Sequence, residues 1–354
     1  MRLTQVRRAL LDKEVDAILV NMPVNRRYLS GFTGSAGHLL ISAEDAVLAT
    51  DFRYYEQVER EAPEFELLKI VKSLKEALPP LLSDLSIVRL GFESQHVTLD
   101  QYQRWSQATE GVEWVPLKDT VETLRAVKDD DEMDALRRSA ALTDDSFAHM
   151  LEVIEPGMSE RKVAWELEAY MRTHGASRVA FDLIVAAGPN GALPHARPGD
   201  HIIQAGEPIV FDIGCVVDGY ASDMTRTICL EEASSKYLEV WDTVLRALEA
   251  AEGKVRAGLN GVEADLLARD LIVEAGYGDF FGHGLGHGVG LAVHESPNAS
   301  PRSTDTLASG MSLTIEPGVY LPGEFGVRIE DLVIIRDEGI EILSSTPKIP
   351  VVGR

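Results

Sequence analysis

Four carboxylates interrupt segments otherwise patterned as apolar β-strands. They are Asp212 in Val210-Phe211-Asp212-Ile213-Gly214, Asp223 in Ala221-Ser222-Asp223-Met224-Thr225, Glu316 in Thr314-Ile315-Glu316-Pro317-Gly318 and Glu330 in Arg328-Ile329-Glu330-Asp331-Leu332. An acid buried on a strand is costly unless something pairs with it. A chain with this pattern must therefore fold so that the four acids meet a counter-charge. A fifth polar residue, His287 in Gly286-His287-Gly288, is expected in a glycine-rich loop.

Composition makes placement the only informative property of these acids. The chain has 354 residues, 57 of them acidic and 34 basic, for a net charge of −23. That excess argues against a nucleic-acid or anionic-membrane partner. It also makes any single carboxylate weak evidence of a site. Two cysteines, Cys215 and Cys229, are too few for a disulfide framework and read as small core residues. No apolar run reaches the length of a membrane span, and the amphipathic segment from Met1 to Leu11 lacks an apolar signal core. A reducing cytoplasm is the expected location.

Turn chemistry brings the acids together. Asp218-Gly219 is a two-residue hairpin signal. With that turn, Val217 pairs with Tyr220, and Asp212 and Asp223 fall on one sheet face as diagonal neighbours, roughly 7–8 Å apart along the backbone. A second hairpin is expected from Met311 to Glu316 and from Gly326 to Ile335, joined by a loop containing Tyr320, Pro322 and Gly323. Each of its strands carries one glutamate. The bland alternative is four surface carboxylates, but all four have apolar or β-branched neighbours. Two aspartates, two glutamates and one histidine form a donor set suited to two metal ions. Gly282 to His294 holds His283, His287 and His294 among five glycines, and His195 follows Pro194 on a loop.

Length and pattern predict two domains. Residues 1–125 alternate strand and helix: a helix at Leu3 to Asp12, strands at Ala17 to Val20, His38 to Ile41, Ala46 to Thr50 and Ile87 to Phe92, and helices at Tyr54 to Glu61, Leu74 to Leu82 and Leu99 to Trp105. Arg27 to Gly37 reads as a glycine-punctuated loop. Residues 126–354 open with Asp129-Asp130-Asp131-Glu132, four acids suited to a helix N-terminus rather than to a metal. A second helix starts at Ser159 as N-cap, and two more run from Lys236 to Val255 and from Val262 to Ala275. The remainder reads as strand and turn.

The order Asp212, Asp223, His287, Glu316, Glu330, with these flanks, resembles the pita-bread metallopeptidases. More narrowly it resembles their aminopeptidase P and prolidase branch, which cleaves next to proline. Gly31-Phe32-Thr33-Gly34-Ser35-Ala36-Gly37 looks like the aminopeptidase P version of a creatinase-type N-terminal domain. The resemblance spans nearly the whole chain. It implies an α/β creatinase-type domain over 1–125 followed by an α+β pita-bread catalytic domain over 126–354. It further implies that Asp212 chelates one metal, Asp223 and Glu330 bridge two, and His287 and Glu316 complete the other shell. His195, His283 and His294 would bind substrate and steady the transition state, Arg328 would lie near the reacting groups, and Tyr320 would line the site. Manganese is the implied metal, with cobalt or zinc as alternatives, and a homodimer the implied assembly. Glu316 would take the proton of the attacking water and pass it to the proline nitrogen.

One departure bears on substrate. Many prolidases carry an arginine immediately after the His-Glu-x-Pro segment to hold a dipeptide's carboxylate. Here His294-Glu295-Ser296-Pro297 is followed by Asn298, and the next arginine is Arg302. The expectation is therefore an Xaa-Pro aminopeptidase, with a dipeptidase or a proline-specific carboxypeptidase as the enzymatic alternative. Creatinase lacks the full ligand set, and methionine aminopeptidase lacks the N-terminal domain. A non-catalytic pita-bread binding protein is the alternative of a different class.

Overall fold

The computed structural model describes residues 2–353. The chain forms two compact units, residues 1–125 and 126–354.

The first unit contains α1 (Arg2–Asp12), β1 (Ala17–Val20), α2 (Pro23–Ser30), β2 (His38–Ser42), β3 (Ala46–Thr50), α3 (Tyr55–Glu61), β4 (Glu66–Lys69), α4 (Leu74–Asp84), β5 (Arg89–Glu93), α5 (Leu99–Ala108) and β6 (Glu113–Leu117), with α6 (Thr120–Ala126) at its end. Its six strands run in the order β4-β3-β2-β1-β5-β6. The central strand Ala17-Ile18-Leu19-Val20 is buried throughout, as a run without polar alternation requires. Helix α2 corrects the sequence expectation, which placed Arg27 to Ser30 in a loop. Pro23 occupies the first turn, where its missing N–H costs nothing, and Gly31 closes the helix at φ 75°. The glycine-rich segment after it is organised by buried Arg26, which donates to the carbonyls of Gly34 and Gly37 at 2.6 and 2.7 Å.

The second unit contains α7 (Asp130–Val153), α8 (Glu160–Thr173), β7 (Arg178–Val179), β8 (Ile184–Ala187), β9 (Pro208–Ile213), β10 (Cys215–Val217), β11 (Tyr220–Ala221), β12 (Met224–Leu230), α9 (Ser235–Glu252), α10 (Gly261–Glu274), β13 (Gly286–Gly288), β14 (Glu295–Ala299), β15 (Ser312–Ile315), β16 (Gly318–Leu321), β17 (Phe325–Arg328), β18 (Asp331–Arg336), β19 (Gly339–Ile342) and β20 (Val351–Val352). Its helices start where local chemistry dictates: Asp129 and Glu132 form a capping box on α7, and Ser159 caps α8. Apolar residues of α7 and α8 pack with those of β8, β9 and β12 in one core, and those of α9 and α10 with β15 to β18 in another. With helices covering one side of these mostly antiparallel ladders, the other side can carry polar chemistry.

The Asp218-Gly219 turn forms with both residues at positive φ, 52° and 93°, and Val217 pairs with Tyr220. β9 and β12 pair from Pro208↔Cys229 to Ile213↔Met224. Only Asp212 lies within a strand. Asp223, Glu316 and Glu330 sit at ladder breaks, where the sequence pattern had suggested strand interiors. The breaks arise because the backbone changes partner there. The Glu330 N–H goes to the carbonyl of Thr225 and the Glu316 N–H to that of Leu285, so neither is left unpaired. Tyr320, expected in a loop, lies on β16 and is buried, because the turn falls after Leu321. His287 lies on β13 opposite Asn298, not in a loop. Gly286 permits this: a Cβ there would lie 1.8 Å from the Thr314 carbonyl oxygen.

Candidate metal centre

Register explains why one face collects the polar side chains. β15 pairs with β18 as Ile315↔Asp331, and β16 with β17 as Gly318↔Arg328. Carrying that register across the break places Glu316 opposite Glu330, with Tyr320 and Arg328 on the same face. On the other hairpin Asp212 faces Thr225, and Asp223 is the diagonal neighbour of Asp212. In a continuous ladder such neighbours stay apart. Here one carboxylate oxygen each from Asp212, Asp223 and Glu330 lies within 4.8 Å of the others.

His287 completes the cluster through its tautomer. Its Nδ1 lies 3.1 Å from the Gly288 carbonyl, which can only accept, so Nδ1 carries the proton. Burial lowers its basicity, which keeps the ring neutral. The Nε2 lone pair then faces Glu316 Oε1 at 3.4 Å and Asp223 Oδ2 at 3.8 Å. A lone pair aimed at carboxylate oxygens is repulsive unless a proton or a cation lies between them.

The charges make the same demand. Burial, then Glu330 and Asp212, raises the Asp223 carboxyl well above its ordinary range. Burial, then Glu316 and Asp212, does the same to Glu330. Burial pushes Glu316 up to about 7, against the pull of Arg328. Asp212 Oδ1 is buried without a hydrogen-bond partner. Unpaired buried oxygens, mutually repelling acids and an imidazole held with its lone pair inward fit divalent cations.

A hydrogen-bonded frame holds this set. Arg328 Nη2 donates to Asp212 Oδ2, Nη1 to Tyr320 Oη at 2.6 Å and Nε to Thr225 Oγ1 at 3.0 Å. Thr225 Oγ1 donates to Glu330 Oε2 at 2.6 Å. Thr314 Oγ1 donates to Glu316 Oε1 at 3.2 Å and accepts the His287 N–H at 3.0 Å. Buried Arg226 donates to the carbonyls of Thr225 and Glu330 and to Asp331 Oδ1. Thr225, Thr314 and Arg226 were missed from sequence. Thr225 was open to the register argument, since it faces Asp212.

The outer histidines divide into separate positions. His283 Nδ1 donates to the Gly284 carbonyl at 2.8 Å, so its Nε2 accepts from Tyr320 Oη at 2.9 Å. Burial, then Arg328, drops His283 to about 4, so it is neutral. The His294 ring lies 4.4 Å from that of His287, and the residue is exposed. His195 is exposed on the loop after Ala192. No helix among the described residues is long and apolar enough to cross a membrane.

Residues 134–337 match Metallopeptidase family M24, and residues 2–127 match the Creatinase/Prolidase N-terminal domain. The fold is thus a creatinase N-terminal domain followed by a pita-bread catalytic domain. A solved Xaa-Pro dipeptidase from Bacillus anthracis is 40% identical, with a TM-score of 0.97 over 99% of this chain and 98% of that one. A solved X-Pro aminopeptidase from Thermotoga maritima is 37% identical, with a TM-score of 0.91 over 96% and 98%. An uncharacterized peptidase of Bacillus subtilis is 40% identical over 98% of this chain and 99% of its own.

Proposed function

We propose that this chain, which belongs to metallopeptidase family M24, hydrolyses the bond between an N-terminal residue and a following proline. The observation that carries this reading is the convergence of Asp212, Asp223, His287, Glu316 and Glu330 with a histidine lone pair turned inward. In this reading Asp212, Asp223, His287, Glu316 and Glu330 would hold two divalent ions. A set of oxygens with one imidazole favours Mn2+ over softer metals, with Co2+ or Zn2+ as substitutes.

Two bound divalent ions would acidify the attacking water and polarise the scissile carbonyl. Glu316, buried beside the other acids, accepts the water's proton and delivers it to the proline nitrogen. That delivery matters because an amine departs as a neutral group only once protonated. His294, beside His287 and open to solvent, donates to the oxyanion as it develops. Arg328 fixes Asp212 on one side and Tyr320 on the other, and Tyr320 holds His283 in turn. The substrate's ammonium terminus is attracted by the acid cluster. His195 approaches from its exposed loop and contacts the bound peptide. The working assembly in this reading is a homodimer in the cytoplasm, by analogy with the family.

Asn298 bears on peptide length. It stands directly across from His287, where an arginine could reach a dipeptide's carboxylate, and it carries no charge. This favours the aminopeptidase over the dipeptidase. The second reading, an Xaa-Pro dipeptidase, is favoured by the name of the Bacillus anthracis relative. Manganese-loaded enzyme should be offered an Xaa-Pro dipeptide and a longer Xaa-Pro-Xaa peptide. Release of the first residue from the longer peptide supports the aminopeptidase. Cleavage of the dipeptide alone replaces it with the dipeptidase, and cleavage of neither by metal-bound enzyme rejects both.

A further inference from the structure

We propose that Thr225 is a positioning residue of the metal centre, whose hydroxyl fixes the orientation of the Glu330 carboxylate and ties it to Arg328 and Asp212. The proposal rests on the ligand set proposed above.

Thr225 lies on β12 opposite Asp212, fully buried and on the face that carries the acids. Its hydroxyl has one proton and two neighbours, Glu330 Oε2 at 2.6 Å and Arg328 Nε at 3.0 Å. A guanidinium has no acceptor, so the hydroxyl must accept from Arg328. Its only proton is therefore directed at Glu330. Because Arg328 also donates to Asp212, hydrogen bonds diverge from its guanidinium to an acid of each hairpin, directly to Asp212 and through Thr225 to Glu330.

The backbone repeats this tie. The Thr225 carbonyl accepts the Glu330 N–H at 3.0 Å. Arg226 Nη1 donates to both the Thr225 and Glu330 carbonyls, at 2.9 and 2.5 Å. Main chains are thus clamped in pairs, and the Thr225 hydroxyl adds the last constraint, on the carboxylate's rotation. With Oε2 held, the carboxylate stays in the cluster with Asp212 and Asp223. Thr225 acts through Glu330 and Arg328, as expected of groups that orient ligands.

Manganese titration of the full-length, chelator-treated protein tests this, by calorimetry and by the electron paramagnetic signal of bound Mn2+. Valine keeps the shape of threonine but can neither donate nor accept. Thr225→Val should weaken Mn2+ binding roughly 10- to 100-fold, while Thr225→Ser restores wild-type affinity. Should the valine variant not fold, as judged by circular dichroism, Thr225→Ala against Thr225→Ser gives the same contrast. Wild-type affinity in the valine or alanine variant would overturn the proposal. So would equal weakening in the serine variant, which would mean that the methyl group matters rather than the hydroxyl. Glu330→Gln separates the two levels. If it binds Mn2+ as tightly as wild type, or if wild type binds none, the ligand set itself is wrong.

Discussion

Glu316 is asked to do two things that its surroundings set against each other. As a ligand it must be anionic, and as a proton carrier it must titrate within the working range. Burial pushes it to about 7 when no cation is present. A carboxyl raised in the folded state from an ordinary 4.5 contributes most below that value and loses its contribution as pH rises through about 7. Glutamine mimics the protonated acid. Metal-free Glu316→Gln should therefore melt with the wild type at pH 5 and above it at pH 8, as scanning calorimetry would show. The same variant, manganese-loaded, should lose turnover by roughly 10²-fold or more while staying folded. An unchanged melting difference across pH would remove the buried-carboxylate argument. At this scale the five proposed ligands were legible because acids break an apolar pattern. Thr225 and Thr314 were not, because threonine is ordinary on a strand. Arg226 was not either, since an arginine between two threonines reads as a solvent face, and burial to 2% depends on contacts from the distant Asp331 and Thr346.

Ribbons carry these side chains, and one buried ion pair anchors the ribbon that ends in His294. Lys128 Nζ lies 2.6 Å from Glu295 Oε1, with both side chains almost fully enclosed, and also donates to the Ala126 carbonyl. Glu295 neighbours His294, and a Cβ on Gly290 would lie 2.2 Å from its carboxylate, so the loop wraps that group closely. Lys128→Met removes the cation 2.6 Å from a buried acid, which should cost about 3–5 kcal/mol in urea unfolding. Replacing both partners, as in Lys128→Met with Glu295→Met, should cost less than the single change. A double variant less stable than the single one would show that the pair is not the source of the cost. Element types were largely legible where caps, turn residues or long apolar runs fix them. Short pieces escaped: β4 and β6 lack strong alternation, and α2 was obscured by the glycines after it. The ladder breaks at Glu316 and Glu330 were invisible because those residues' N–H groups go to Leu285 and Thr225, far off in sequence.

Each unit has its own apolar core. In the first unit the core gathers around Leu19, Leu78 and Trp105. The apolar clusters described in the second unit do not include the acids. Four acids gathered around one arginine, Arg328, leave an excess of negative charge in the second unit, and cations should relieve it. Metal that binds only the folded state at about 100 times its dissociation constant stabilises by about 2.7 kcal/mol. Mn2+ should accordingly raise the melting temperature by several degrees, with added hydrogen-exchange protection concentrated in residues 126–353 and reversal by chelator. Protection confined to residues 2–125 would contradict this. The arrangement of an α/β unit before a helix-and-ribbon unit was readable from hydrophobic periodicity and from the run of acids opening α7. The collection of distant side chains on one face followed only in part, because parity fixes faces within a hairpin but not between hairpins.

Anomalous diffraction at the manganese edge, from crystals grown with Mn2+, tests the account most directly. It should show two peaks roughly 3.5–4 Å apart, within bonding distance of Asp212, Asp223, His287, Glu316 and Glu330. Peaks elsewhere, or none among these five side chains at saturating Mn2+, would contradict it.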